Sequence, residues 1–258
     1  MAKKQLGVIF GSRTCEHEVS IISGVQLARA ADREKYDVWP IYIAKDGRWY
    51  TGEKLLDIHT YTPFDPYAKG LTRVTLDLTA GSGALISYEQ EKGLFTKGVV
   101  PVTVTKLDCV IPVMHGLHGE DGTLQGVLQM SGIPFVGCGC ETSAICMDKG
   151  TTKLVLKNFG IPQAHSIIVN AAAMRDNLDM IIAGCEKISA YPLFVKPANA
   201  GSSVGASKAL YRDSLVKALE NAAKYDSKII VEEYIKGKEC EVAVMGNTHF
   251  KVSTVGQI

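Results

Sequence analysis

Short apolar runs alternate with stretches of helical spacing along most of the chain, which predicts strands and helices in turn. Residues 5–10 (QLGVIF) read as a buried strand stopping at Gly11, and residues 12–18 as a polar loop. From Val19 onward, Ile21, Val25, Leu27 and Ala28 fall on a helical period, and residues 36–43 (YDVWPIYI) read as a second strand. Strand, helix, strand is a βαβ unit, and such a unit implies parallel strands. Residues 45–105 scatter Gly, Pro and Thr among short alternating segments such as GVVPVTV at 98–104, so hairpins are expected there. Residues 107–114 (LDCVIPVM) predict another buried strand, and 123–130 a helix closed by Gly132 at a left-handed C′ position. A short strand over 134–137 follows.

In the second half, Asp148 is placed to cap a helix that runs through Phe159 and is closed by Gly160 and Pro162. A helix over 174–189, a strand over 193–197, a Gly-rich loop over 199–205 and a helix from Asp213 come next. A strand over 229–235 and a hairpin over 240–255 complete the pattern. The expected fold class is α/β: an N-terminal doubly wound parallel-sheet domain, then an α+β region of more antiparallel character.

Composition narrows the function classes. At 258 residues with 46% hydrophobic content, the chain holds enough apolar material for a core and too much for a disordered segment. Its 28 Lys+Arg against 27 Asp+Glu leave a net charge of +1, which argues against a protein whose main partner is a nucleic-acid backbone. Any anion must be held by local charges. The first residues carry too short an apolar run for a secretory signal, and no run has the length of a membrane span, so no membrane partner is expected. Seven cysteines form an odd, scattered set, and Cys138, Cys140 and Cys146 lack zinc-site spacing. Reduced thiols in a cytoplasmic protein are the expectation, with no metal site among them.

Five segments carry chemistry. In FVKPANAGSSVG (194–205), Lys196 ends an apolar strand and a Gly-Ser-Ser-Val-Gly loop follows. Glycines let backbone N–H groups approach an anion while the lysine adds a point charge, so this is a phosphate-binding candidate. The lysine precedes the loop, which excludes the GxxxxGK[ST] motif, and GxGxxG is absent as well. Lys149 opens a helix within MDK (147–149); whether it converges on Lys196 is a tertiary question. In IVEEYIKGKECEV (230–242), acidic residues suit ribose hydroxyls or an adenine amino group, or else protect an edge strand. GSRTCEHEVS (11–20) and HGLHGEDGTLQG (115–126) both follow predicted parallel strands, where open α/β sheets bind ligands. A glutamate there can hold an ammonium and a histidine a carboxylate. No G-x-S-x-G elbow is present to support a Ser-His-Asp hydrolase.

Taken in order, these five segments resemble the D-alanine–D-alanine ligases of the ATP-grasp superfamily, and they span nearly the whole chain. The resemblance implies an enzyme of peptidoglycan synthesis that uses ATP, with Mg2+ or Mn2+, to phosphorylate one D-alanine and couple it to a second. It implies that Glu16 holds the first substrate's ammonium with His115 near its carboxylate, and that Ser202 joins the active-site network. Lys149 and Lys196 would grip ATP phosphates beneath the loop of Gly201, Ser202, Ser203 and Val204. Glu232 would meet the adenine amino group, Tyr234 and Ile235 would frame the base, and Glu239 would bind ribose. It also implies a substrate domain over 1–138 and an ATP-grasp domain over 139–258, whose central part ends near 231. A cytoplasmic homodimer joined through the first domain is implied too. The family pattern continues past residue 258, and its metal ligands and mobile loop have no counterpart here. A fragment without useful turnover is therefore expected. D-alanine–D-serine or D-alanine–D-lactate ligation and a non-catalytic nucleotide-binding remnant are the alternatives.

Overall fold

The structure is a computed structural model that describes residues 2–90 and 98–258. Its first half is built on β1 (Lys4–Gly11), α1 (His17–Ala30), β2 (Tyr36–Ile43), β3 (Trp49–Thr51), β4 (Thr72–Leu76), β5 (Ala84–Gln90), β6 (Val99–Lys106) and β7 (Cys109–Pro112). These strands form one sheet in the order β6-β5-β4-β3-β2-β1-β7. Among the described residues of this sheet only β2, β1 and β7 run parallel; the hairpin strands expected over 45–105 extend it antiparallel, with residues 91–97 of that stretch outside the described residues.

Alternation along β1 sends Val8 and Phe10 to one face and Ile9 to the other. On the first face they pack with Ile21 and Val25 of α1. On the second, Ile9 packs with Leu124 and Leu128 of α2 (Thr123–Ser131). Burial on both faces explains the unbroken apolar runs in β1 and β7. Gly24 of α1 sits against the Phe10 ring where any Cβ would collide, so the helix lies close to the strand. Gly132 does take the left-handed conformation, at φ 68°. The strand expected at 134–137 reduces to a single bridge between Phe135 and Val110.

The second half comprises α3 (Cys140–Met147), α4 (Lys149–Asn158), β8 (Ser166–Asn170), α5 (Met174–Glu186), β9 (Leu193–Pro197), β10 (Ser207–Ala209), α6 (Arg212–Ala222) and β11 (Lys228–Glu233). Its sheet has the order β10-β9-β11-β8 and is antiparallel throughout. Helices α5 and α6 bury Leu193, Val195, Ile229 and Val231 on one face. Gly150 of α4 packs on Ile168 and Ile230 from the other. Along β9 the residues that alternate with Leu193 and Val195 are Phe194 and Lys196, so Lys196 points away from the α5/α6 core. Two short ladders close the chain, β12 (Cys240–Glu241) with β15 (Gly256–Gln257) and β13 (Val244–Met245) with β14 (Lys251–Val252).

Several boundaries differ from the sequence expectation. Helix α1 begins at His17 rather than Val19, because the polar first turn is satisfied by tertiary contacts of His17 and Ser20. Strand β11 stops at Glu233, where its partner β9 begins at Leu193, so Tyr234 and Ile235 lie outside the ladder. Helix α3 escaped notice because its apolar residues are spread around the helix with no common face, and the one residue it buries fully is Ser143. Strand β8 escaped because, of its five residues, Val169 alone is fully buried.

Candidate functional site

The polar loops that follow β1 and β7 meet the glycine-rich loop that follows β9. Glu16 stands at the N-cap position of α1 with its side chain turned away from the helix N–H groups, and its Oε1 accepts a hydrogen bond from Ser202 Oγ at 2.5 Å across the two halves of the chain. Its Oε2 is buried and has no hydrogen-bond partner. Two glycines make room for this carboxylate. A Cβ on Gly201 would come within 2.8 Å of Oε2, and Gly116 of the β7 loop presses against the same oxygen. Beside Gly116, His115 Nε2 lies 3.2 Å from Ser23 Oγ on α1. The backbone N–H of Gly116 is held by Glu120 Oε2 at 2.7 Å, which fixes the turn carrying His115.

The cations converge on the other side of the glycine-rich loop. Lys149 Nζ donates to the carbonyls of Ala200 at 2.5 Å and Ala198 at 3.3 Å. Burial and then the nearby Lys196 cation hold the Lys149 pKa below the ordinary lysine value. Lys196 pairs with Glu232 Oε1, and Lys153 reaches Glu232 Oε2 at 3.1 Å. Glu232 is only 8% exposed, so its charge must be paired. Ser202 and Ser203 take positive φ, 46° and 58°, which non-glycine residues rarely adopt. Gly205 at φ 73° lies against Tyr225 and Pro197, where a Cβ would sit 2.6 and 2.8 Å from ring atoms. Asp226 clips the start of the loop by accepting from both Asn199 N and Nδ2 at 2.8 Å. Tight turns of this kind aim backbone N–H groups at an anion, and two lysines brought together near them suit a polyphosphate.

The D-ala D-ala ligase N-terminus family matches residues 5–138, and the D-ala D-ala ligase C-terminus family matches residues 155–258. The chain belongs to the D-alanine–D-alanine ligase family. It is 43% identical to a D-alanine–D-alanine ligase of Caldicellulosiruptor bescii, covering all of this chain and 67% of that protein. A D-alanine–D-alanine ligase of Ruminiclostridium cellulolyticum is 40% identical, again over the whole chain and 68% of its own length. Among solved structures, the VanG D-Ala:D-Ser ligase from Enterococcus faecalis superposes with a TM-score of 0.82 at 33% identity, covering 99% of this chain and 70% of that one. The D-alanine–D-alanine ligase from Coxiella burnetii gives 0.81 at 30% identity, with coverage of 99% and 71%. The chain thus spans about two thirds of the length of these relatives.

Within this ligase-family fold, Glu16, Ser202 and the His115 loop come together, as do Lys149, Lys196 and Glu232. Tyr234 stands apart with the Lys208 ammonium 3.7 Å above its ring, and Ile235 is 65% exposed. Glu239 is exposed, and its side chain makes no hydrogen bond or ion pair among the described residues. Lys153, Ser23 and Glu120 were not singled out by sequence reasoning. Lys153 lies one helical turn beyond Lys149, on the same face of α4, and that spacing is the signal that would have found it. Among the described residues, no group of three or more His, Cys, Asp or Glu side chains is arranged to hold a metal ion. Among the described residues, no helix is long and apolar enough to cross a membrane.

Asp148 anchors the lysine-bearing helix. Its Oδ1 accepts from Gly150 N at 2.9 Å and Thr151 N at 3.0 Å, and its Oδ2 pairs with Lys228. Burial pushes its pKa up, but the Lys228 contact and the helix N–H donors outweigh that and hold it below the usual aspartate value. A carboxyl with a depressed folded pKa stabilises the fold above its unfolded pKa, and that contribution is lost as pH falls through the folded value. Asp148→Ala is expected to cost about 1–2 kcal/mol at pH 7 in urea melts. Between pH 5 and the acid limit, its stability should fall less steeply than that of the unaltered chain; parallel curves would remove the titrating role.

Proposed function

We propose that this protein binds ATP and D-alanine and serves the ATP-dependent joining of two D-alanines for peptidoglycan synthesis, in the cytoplasm and as a dimer through residues 1–138. In that reaction a carboxylate oxygen of the first D-alanine attacks the γ-phosphorus and ADP leaves. The amine of the second then attacks the acyl carbon, and phosphate leaves. The observation that carries this reading is the buried, unpartnered Oε2 of Glu16 facing the loop that joins the lysine pair. A carboxylate oxygen hidden from water without a partner is costly, and an α-ammonium satisfies it with both charge and hydrogen bonds. His115 immediately precedes Gly116, whose Cα packs on that same oxygen, and would meet the same amino acid's carboxylate.

Residues 139–258 would supply the nucleotide site. Lys149 and Lys196 fit the phosphates, because a polyanion relieves two ammonium groups that otherwise disfavour each other. Magnesium would neutralise the charge that develops on the transferred phosphoryl group. The described residues provide no cluster of His, Cys, Asp or Glu side chains to hold it. Binding is therefore the deciding measurement. Calorimetry on the chain should detect a non-hydrolysable ATP analogue and, with the analogue present, D-alanine in preference to L-alanine. ADP release is recorded beside it, and failure to bind either ligand overturns the proposal. The likeness to VanG supports a second reading, D-serine as the second substrate, which adding D-serine to the ADP-release assay distinguishes.

A further inference from the structure

Glu16 at the N-cap position of α1, and Ser20 and Ser23 within the helix, follow at spacings of four and three residues, so the three lie along one face. Each meets a different part of the site. Glu16 reaches the glycine-rich loop through Ser202. Ser20 is fully buried; its Oγ accepts from Gly11 N at 2.8 Å and donates to Val113 O at 2.6 Å, tying the ends of β1 and β7 to one helical position. Ser23 Oγ lies 3.2 Å from His115 Nε2. The distance between the group assigned to the ammonium and the group assigned to the carboxylate is therefore set along a single rigid helix. His17, in the same first turn, locks the loop from the opposite side. Its Nδ1 lies 2.6 Å from Ser12 O and its Nε2 3.0 Å from Tyr42 Oη. A carbonyl can only accept, so Nδ1 of His17 carries the proton.

We infer that Ser23 is a positioning residue that acts through His115, donating its hydroxyl proton to Nε2 so that Nδ1–H of the ring is turned toward the amino acid's carboxylate. The inference rests on the proposed D-alanine site. The chemistry is that of a second partner choosing which ring nitrogen keeps its proton: a neutral imidazole has one donor and one acceptor nitrogen, and occupying the acceptor fixes the donor. Glu120 adds to this by holding the Gly116 N–H, so the ring is constrained by a hydroxyl on one side and a tethered backbone on the other. A hydroxyl at position 23 is what the role requires, and threonine keeps it.

The test combines calorimetry with nitrogen-15 spectra of the histidine rings, using the chain with a non-hydrolysable ATP analogue. Ser23→Ala should weaken D-alanine binding about five- to tenfold, the loss of one ordinary hydrogen bond. It should also shift His115 from the Nδ1–H tautomer to a mixture, leaving affinity for the ATP analogue unchanged. Ser23→Thr should restore both the affinity and the tautomer. A packing role alone would change neither spectrum nor preference for D- over L-alanine. If the unaltered chain binds D-alanine and Ser23→Ala binds it equally well with an unchanged His115 spectrum, the inference fails while the function stands. If the unaltered chain binds the ATP analogue but no D-alanine, both fall.

Discussion

Replacing Lys196 with alanine is expected to weaken the binding of a non-hydrolysable ATP analogue about 10- to 100-fold, the worth of one charge-assisted hydrogen bond. Three effects compete. The phosphates lose a cation that β9 holds on the site face of the sheet. Lys149 is freed from a like charge and holds its own proton more firmly, which recovers part of the loss. Glu232 loses one of two partners but keeps Lys153 at 3.1 Å, so it is not left as an isolated buried charge. The first effect wins, because Lys149 already spends its amine on the carbonyls of Ala198 and Ala200 and cannot cover both positions. Retention of Lys153 predicts that the thermal midpoint changes much less than affinity does. An unchanged dissociation constant in calorimetry would remove Lys196 from the nucleotide site.

The second large effect is expected at Glu16. Glu16→Gln keeps the shape and an acceptor for Ser202 but removes the negative charge. D-alanine affinity should fall about 10- to 100-fold, because a hydrogen-bonded ion pair becomes a neutral contact. Binding of the ATP analogue alone should be preserved, since Glu16 sits on α1 and meets the nucleotide-side loop only through Ser202. The fold should hold or gain slightly. The amide relieves a buried carboxylate oxygen that has no partner while the ligand is absent. A variant that binds D-alanine as tightly as the parent would sink the ammonium assignment. Loss of analogue affinity together with D-alanine affinity would point instead to collapse of the 201–205 loop.

The legible part of this protein lies where one segment carries the whole signal. The βαβ unit could be read because β1 is buried without a break from Leu6 to Gly11 and β2 from Pro40 to Ile43, so each carries a continuous apolar run on either side of a helical period. Asp148 was recognisable as a cap because capping is a contact between neighbours in the chain. Lys196 stood out because an apolar strand ends on a cation and glycines follow it. Elements with weak patterns stayed hidden. Strand β8 buries one residue fully, α3 spreads its apolar residues around the helix, and the four antiparallel strands joined to the parallel three look like separate hairpins in sequence.

The sequence alone determined the residue types, the local turns and caps, and the family to which those ordered strings belong. Only the tertiary structure decided what they do to one another. It set Ser202 against Glu16 from 186 positions away and left the second carboxylate oxygen without a partner. It brought Lys149 close enough to Lys196 to disfavour its charge, and gave Glu232 two lysines where the chain shows only one beside a glycine-rich loop. It put Ser23 on His115. Capping and strand alternation act over a few bonds and leave a pattern in sequence. Coulomb and hydrogen-bond energies depend on distance in space, and that distance exists only once two sheets and the helix between their loops have packed.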